Sequence, residues 1–164
     1  MEPSFEPDIE LYPPESFKTL LEHEVKRSRR YRDPLTILCL AFETQPADPQ
    51  TQHSAEVFTI NALNLRLRET DIPCKQENEY LVLMPSTSEH GGRMACERLE
   101  SLFHVEHKTF DRVSFELSAF MGMATLPGDS SISSEELLRH ASEALQHARV
   151  NRLTNAVIFS EIKH

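Results

Sequence analysis

A chain of 164 residues supplies enough material for one domain core, and 39% hydrophobic against 26% charged residues is the balance of an ordinary soluble globular protein. Its net charge of −9 disfavours wholesale binding to nucleic acid, whose phosphates attract basic surfaces, but leaves room for a small anionic ligand held by a few arginines. No apolar run approaches the roughly 20 residues of a membrane span. The start, MEPSFEPDIELYPPES, lacks the basic and apolar stretches of a secretory signal. Cys39, Cys74 and Cys96 are odd in number, widely spaced and set in apolar segments. They read as reduced, buried thiols of a cytoplasmic protein.

Residues 1–13, with Pro3, Pro7 and Pro13, read as a flexible tail ahead of a folded domain over 14–164. Pro14-Glu15 suits the first turn of a helix that runs to about Tyr31, with Phe17, Leu20, Leu21 and Val25 as its apolar stripe. The cations at its end, Lys26, Arg27, Arg29, Arg30 and Arg32, complement a helix C-terminus and otherwise face water. Asp33-Pro34 stops it. Leu35–Phe42 is a continuous apolar run, as expected of a central strand covered on both faces. A loop with Pro46 and Pro49 follows. Ser54 is then the predicted cap of a helix over Ala55–Arg68, with Phe58, Ala62 and Leu65 on one face.

Residues 72–84 read as a β-hairpin: Ile72–Lys75 inward, a polar tip at Gln76-Glu77-Asn78, and Glu79–Met84 outward. A turn at Pro85–Ser88 leads into a helix from Glu89 to Phe103 that packs through Ala95, Leu99, Leu102 and Phe103. His104–Arg112 reads as a polar connection. Val113–Ala124 alternates and then turns apolar on both faces, so it is a second central strand. Ser133 or Ser134 caps the last helix, which buries Leu137, Leu138, Ala141, Leu145 and Ala148. Asn155–Phe159 is a short closing strand. The predicted class is α/β (α+β): a palm or ferredoxin-like mixed central sheet of about five strands with helices on its faces, in the order α-β-α-β-β-α-β-α-β.

Several strings, in order, resemble those of one family. HEVKRSRRYRDPLTILCLAF, LRETD followed by the hairpin and LVLMPST, MGMATLPGD, and EELLRHASEALQHARVNR together resemble a GGDEF domain, the diguanylate cyclase fold, from about Phe17 to Phe159. The resemblance implies the palm-like fold and a place in bacterial cyclic di-GMP signalling. It also implies a catalytic centre in which two carboxylates hold magnesium ions against a nucleoside triphosphate, because Mg²⁺ prefers anionic oxygens. Aligned on Pro34, one of these acids falls at Ala41, with Glu43 where a second acid often sits. Aligned on Pro85, the signature reads Gln76, Glu77, Asn78, Glu79 and Tyr80, so both glycines and the metal-binding acid are replaced. Gln76 and Glu77 add bulk at a tip where glycines would let a nucleotide approach. Arg149 falls near a phosphate-binding lysine of the family.

The expected protein is therefore a degenerate GGDEF-like module. It is not an enzyme, it needs no cofactor or metal, and it acts through a protein partner or as a homodimer. Arg68 and Asp71 form an Arg-x-x-Asp string just ahead of the signature. In the family such a string binds cyclic di-GMP, so both are candidate ligand residues; the plainer reading is an exposed ion pair at a helix end. A purely structural or dimerisation domain without nucleotide is the alternative, and residual GTP binding or cyclase activity through Glu43 and Glu79 is a further one. His104-x-x-His107 and His140/His147 lack the extra ligands of a zinc site. Gly91-Gly92 reads as flexible capping at a helix start.

Overall fold

The computed structural model describes residues 11–103, 107–110 (backbone alone) and 113–163. Its elements are α1 (Pro14–Tyr31), β1 (Leu35–Gln45), α2 (Pro49–Arg66), β2 (Ile72–Gln76), β3 (Glu79–Pro85), α3 (Glu89–Phe103), β4 (His107–Phe110), β5 (Val113–Leu126), α4 (Ser134–Val150) and β6 (Val157–Ile158), with a 3₁₀ turn at Phe159–Glu161. The strands lie in the order β2-β3-β1-β5-β4, each antiparallel to its neighbour, while β6 pairs parallel to β5. Among the described residues this makes a mixed sheet of six strands, one more than the sequence suggests. The addition is β4, which falls inside the segment read as a polar connection; it pairs His107–Phe110 with Val113–Glu116. His104–Glu106, Asp111 and Arg112 lie outside the described residues.

The sheet is covered on both faces, which is why β1 is apolar without alternation. Leu38, Leu40, Tyr80, Val82 and Met84 face α2 and α3, where they meet Leu63, Leu99 and Phe103. Leu35, Ile37, Cys39, Leu81 and Leu83 face α1 and α4, where they meet Phe17, Leu21, Val25, Leu137 and Leu145. The two faces alternate residue by residue, as the strand period requires. All three cysteines are free and buried. On β5, α4 approaches so closely that a Cβ on Gly122 would sit 2.1 Å from the Leu145 backbone nitrogen.

Some boundaries differ from the sequence reading. The second helix begins six residues early, at Pro49, because Asp48 caps it: its Oδ1 accepts from the Thr51 N–H at 2.9 Å. Ser54 is a buried helical residue instead. The same helix ends at Arg66, and Leu65 points outward at 72% exposed while Leu63 takes the buried position. Strand β1 runs on to Gln45, held by Glu116 of β5. Only Val157–Ile158 of the closing strand pairs. Ser133 caps α4 as expected, accepting from the Glu136 N–H at 3.1 Å.

Of the predicted tail, residues 1–10 lie outside the described residues, but the last part is fixed. Leu11 packs on the α2–α3 side of the core. Tyr12 bridges to Cys74 in parallel, its N–H donating to the Pro73 carbonyl at 2.9 Å along the outer edge of β2.

Candidate functional site

The register brings two features to one end of the sheet. Strand pairing between β1 and β3 finishes at Leu40 opposite Tyr80, so Ala41 and Phe42 continue beside the β2–β3 turn. That turn is tight: Gln76 pairs with Glu79, leaving only Glu77 and Asn78 to reverse the chain. Glu77 takes φ 57, in the left-handed region. A residue with a Cβ is disfavoured there and glycine is not. The backbone at the tip thus keeps a glycine-type conformation under a glutamate.

An open cleft of about 520 Å³ forms against this turn. Ala41 and Phe42 from β1, Lys75, Asn78 and Tyr80 from the hairpin, and Arg149 from α4 line it; α2 adds Gln52, His53 and Glu56. The cations in it are engaged. Lys75 pairs with Glu56 at 2.7 Å, and Arg149 approaches Glu79 at 4.0 Å. Glu43, just outside, pairs with Arg152 at 2.7 Å. Tyr80 is buried and its ring stacks on Phe42 at 6.2 Å between centroids. Its hydroxyl finds no hydrogen-bond partner among the described residues. Burial, then the nearby Glu56 charge, pushes the phenol well above its ordinary pKa.

This donor set does not fit a divalent metal. Ala41 offers a methyl group and Asn78 a neutral amide, whereas magnesium needs carboxylate or phosphate oxygens. Among the described residues, no three His, Cys, Asp or Glu side chains converge as a metal cluster. The five signature positions also separate. Asn78 and Tyr80 enter the cleft, and Glu79 turns to Arg149. Gln76 lines an apolar groove beside Phe17 and Leu138 on the α1–α4 side.

Arg68 and Asp71 form a different place, a smaller cleft of about 240 Å³ between the α2–β2 connection and α3. Asp71 is almost wholly buried. Its Oδ2 accepts from the Arg68 backbone N–H at 2.8 Å, and its Oδ1 from the Arg68 guanidinium at 3.1 Å. The guanidinium also donates to the Pro85 carbonyl at 3.2 Å and to the Thr87 hydroxyl. The pair is therefore a clasp joining the α2–β2 connection to the β3–α3 turn, and more than an exposed surface ion pair. Arg98 and Met94 of α3 line the opposite wall. Arg98 was not singled out by the sequence; its signal was its place three residues after Ala95, at the margin of the apolar face of α3.

Other candidates dissolve into packing. His140 stacks on Phe159 with centroids 3.9 Å apart and 6° between ring planes. For His107 the backbone alone is described, and His104 lies outside the described residues. Gly92 is no loose cap: a Cβ there would meet Met123 Cε at 2.9 Å and Thr36 Cγ2 at 3.0 Å.

No family model matches the chain, and no curated protein matches it in sequence. Solved structures do. The GGDEF domain of YfiN (TpbB) from Pseudomonas aeruginosa is 17% identical, with a TM-score of 0.78 over 90% of this chain and 96% of that one. The GGDEF domain of DgcB from Caulobacter crescentus, solved in complex with c-di-GMP, is 10% identical, with a TM-score of 0.76 over 92% of each chain. The diguanylate cyclase SiaD from Pseudomonas aeruginosa, solved with its activator SiaC, is 18% identical, with a TM-score of 0.73 over 90% of this chain and 58% of that one. At these identities the likeness is one of fold: the chain is a GGDEF-like domain in architecture.

Proposed function

We propose that this GGDEF-like domain is a signalling module that works by binding and not by turnover. The observation that carries the reading is the pairing of Ala41 with Asn78 in the larger cleft, where the resemblance places the two metal-holding acids. Without those carboxylates, the developing charge of a phosphoryl transfer has no metal to neutralise it. Glu43 and Glu79 do not replace them, since each faces an arginine. The test is titration of GTP with Mg²⁺ by calorimetry, with product analysis by chromatography. Absence of heat and of cyclic dinucleotide is expected. Formation of cyclic di-GMP overturns the reading.

A second reading concerns what the module binds. The smaller cleft combines Arg68 with Arg98, and Arg98 has no side-chain partner among the described residues, which favours an anionic ligand such as cyclic di-GMP there. DgcB, of the same fold, was solved in complex with c-di-GMP. SiaD was solved with a protein activator, and a protein partner or a second copy of this chain is the corresponding proposal here. A cytoplasmic setting belongs to the same reading, supported by three buried free thiols. No helix among the described residues is long and apolar enough to cross a membrane. Cyclic di-GMP titrated against Arg98→Ala tests the site: weaker binding than to the parent supports it, and equal binding removes it.

A further inference from the structure

Tyr80 is 1% exposed, yet its hydroxyl has no hydrogen-bond partner among the described residues. Burying a hydroxyl unpaired costs its full desolvation, so a buried phenol without a partner calls for one. Its surroundings say where that partner enters. Phe42, stacked on the ring, and Glu56, whose charge acts on the phenol, both line the larger cleft together with Tyr80. Lys75 lies directly opposite Tyr80 across the β2–β3 pairing and closes on Glu56 at 2.7 Å. The two side chains of that ion pair are 33% and 34% exposed, so the pair costs little to part.

The rest of the lining defines the chemistry of an occupant. Ala41, Phe42 and Pro49 offer apolar surface suited to a flat ring. Asn78 brings an amide and Arg149 a guanidinium. Arg149 reaches Glu79 only at 4.0 Å, too far for a hydrogen bond, so its donors can turn to a better acceptor. In charge, Lys75 and Arg149 face a single carboxylate in the lining, Glu56. One surplus cation matches one negative charge on the occupant and falls short of the several on a phosphate chain. Burial keeps the Tyr80 phenol protonated, and a protonated phenol is a donor for an oxygen on the ring's far side.

We propose that the larger cleft binds, without metal, a planar aromatic monocarboxylate that carries a hydroxyl at its far end. The ring lies over Phe42, the carboxylate accepts from Arg149 and Asn78, and the ligand hydroxyl accepts from Tyr80 and donates to Glu56. Entry parts the Lys75–Glu56 pair, and Glu56 exchanges one partner for another. The proposal rests on the reading that this cleft works by binding and not by turnover.

The test titrates 4-hydroxybenzoate into the full ¹⁵N-labelled chain in EDTA and follows amide shifts by NMR. Saturable shifts at Asn78, Tyr80 and Arg149 are expected. Tyr80→Phe removes only a hydroxyl that no protein group bonds, so the fold is retained. This variant is expected to bind 4-hydroxybenzoate about fivefold more weakly, the scale of one hydrogen bond. Benzoate, which lacks the far hydroxyl, is expected to bind parent and Tyr80→Phe alike. Arg149→Ala is expected to weaken both ligands about tenfold. Absence of saturable shifts overturns the proposal, and so does 4-hydroxybenzoate binding that ignores both substitutions. Tighter binding of GMP than of 4-hydroxybenzoate, again in EDTA, assigns the cleft to a phosphate ligand and overturns it too. Formation of cyclic di-GMP from GTP and Mg²⁺ is a separate measurement that sinks the reading beneath, so the two failures are distinguishable.

Discussion

Arg68 and Asp71 are bonded to each other twice, through the backbone N–H and the guanidinium of Arg68, and both Asp71 oxygens are taken. The string therefore has a structural duty whether or not it has a ligand. Asp71→Ala strips the Arg68 N–H of its acceptor and loosens the guanidinium from the β3–α3 turn. A loss of about 2 kcal/mol is expected, at the scale of an unmade charged hydrogen bond at a buried site. Urea unfolding checks it; a change below the error of the midpoint contradicts the clasp.

It follows that Arg68→Ala is an ambiguous probe of ligand binding, because it disturbs the clasp as well as the cleft. Arg98→Ala leaves the clasp intact. Its unfolding midpoint is expected to match the parent's, with surface changes of this kind falling within about 0.5 kcal/mol. A stability loss comparable to that of Asp71→Ala would mean that Arg98 also serves the fold.

Gly122 and Leu145 set the spacing between β5 and α4. A methyl group at Gly122 meets the helix backbone at 2.1 Å and 2.5 Å, atoms that cannot swing aside as a side chain does. Gly122→Ala is expected to cost about 3 kcal/mol or more, the upper range for overpacking. Thermal unfolding measures it, and a variant within error of the parent shows that α4 can shift on the sheet.

Much of the fold was legible because the helix stripes of α1 and α4 and the apolar runs of β1 and β5 announce their buried sides. Phe17, Leu21 and Val25 on α1 and Leu137, Ala141 and Leu145 on α4 lie where their periods put them. What stayed hidden has physical causes. Strand β4 is four residues long and lies among polar neighbours, so its pairing with β5 leaves no apolar signature. The early start of α2 depends on Asp48 and Pro49, a cap and a first-turn proline that also read as loop residues. In the clefts, the hairpin position and the Arg68–Asp71 pair were readable, but the bonding of Arg68 to Pro85 and Thr87 and the approach of Arg98 depend on elements distant in sequence.

Buried weak acids, the thiols of Cys39, Cys74 and Cys96 and the Tyr80 phenol, predict how stability responds to alkali. Burial, then Glu100, pushes the Cys96 thiol from 9.0 up to about 12. Burial, then Glu79, raises Cys39 further, and Tyr80 shifts the same way. Each stays protonated in the folded chain while its unfolded counterpart ionises. Between these values the unfolded state binds fewer protons, so stability is full below about pH 9 and falls as pH rises toward 12. Urea midpoints at about pH 8 and about pH 10 should show the decline, and Cys96→Ala should flatten it in part. An unchanged slope in that variant would contradict burial of the thiol.

The hairpin tip gives the last prediction. Glu77 holds φ 57 with a Cβ, at a cost of about 1 kcal/mol relative to glycine. Glu77→Gly is therefore expected to stabilise the domain by a few tenths to about 1 kcal/mol, the remainder being offset by the extra freedom glycine gains in the unfolded chain. The same change also removes a negative charge beside the larger cleft. If the tip alone held back nucleotide chemistry, Glu77→Gly would open the cleft to GTP and Mg²⁺. With Ala41 and Asn78 still supplying no carboxylate, stability is expected to rise while GTP titrations stay silent. Calorimetric binding of GTP with Mg²⁺ to this single variant would move the obstacle from the missing acids to the tip itself.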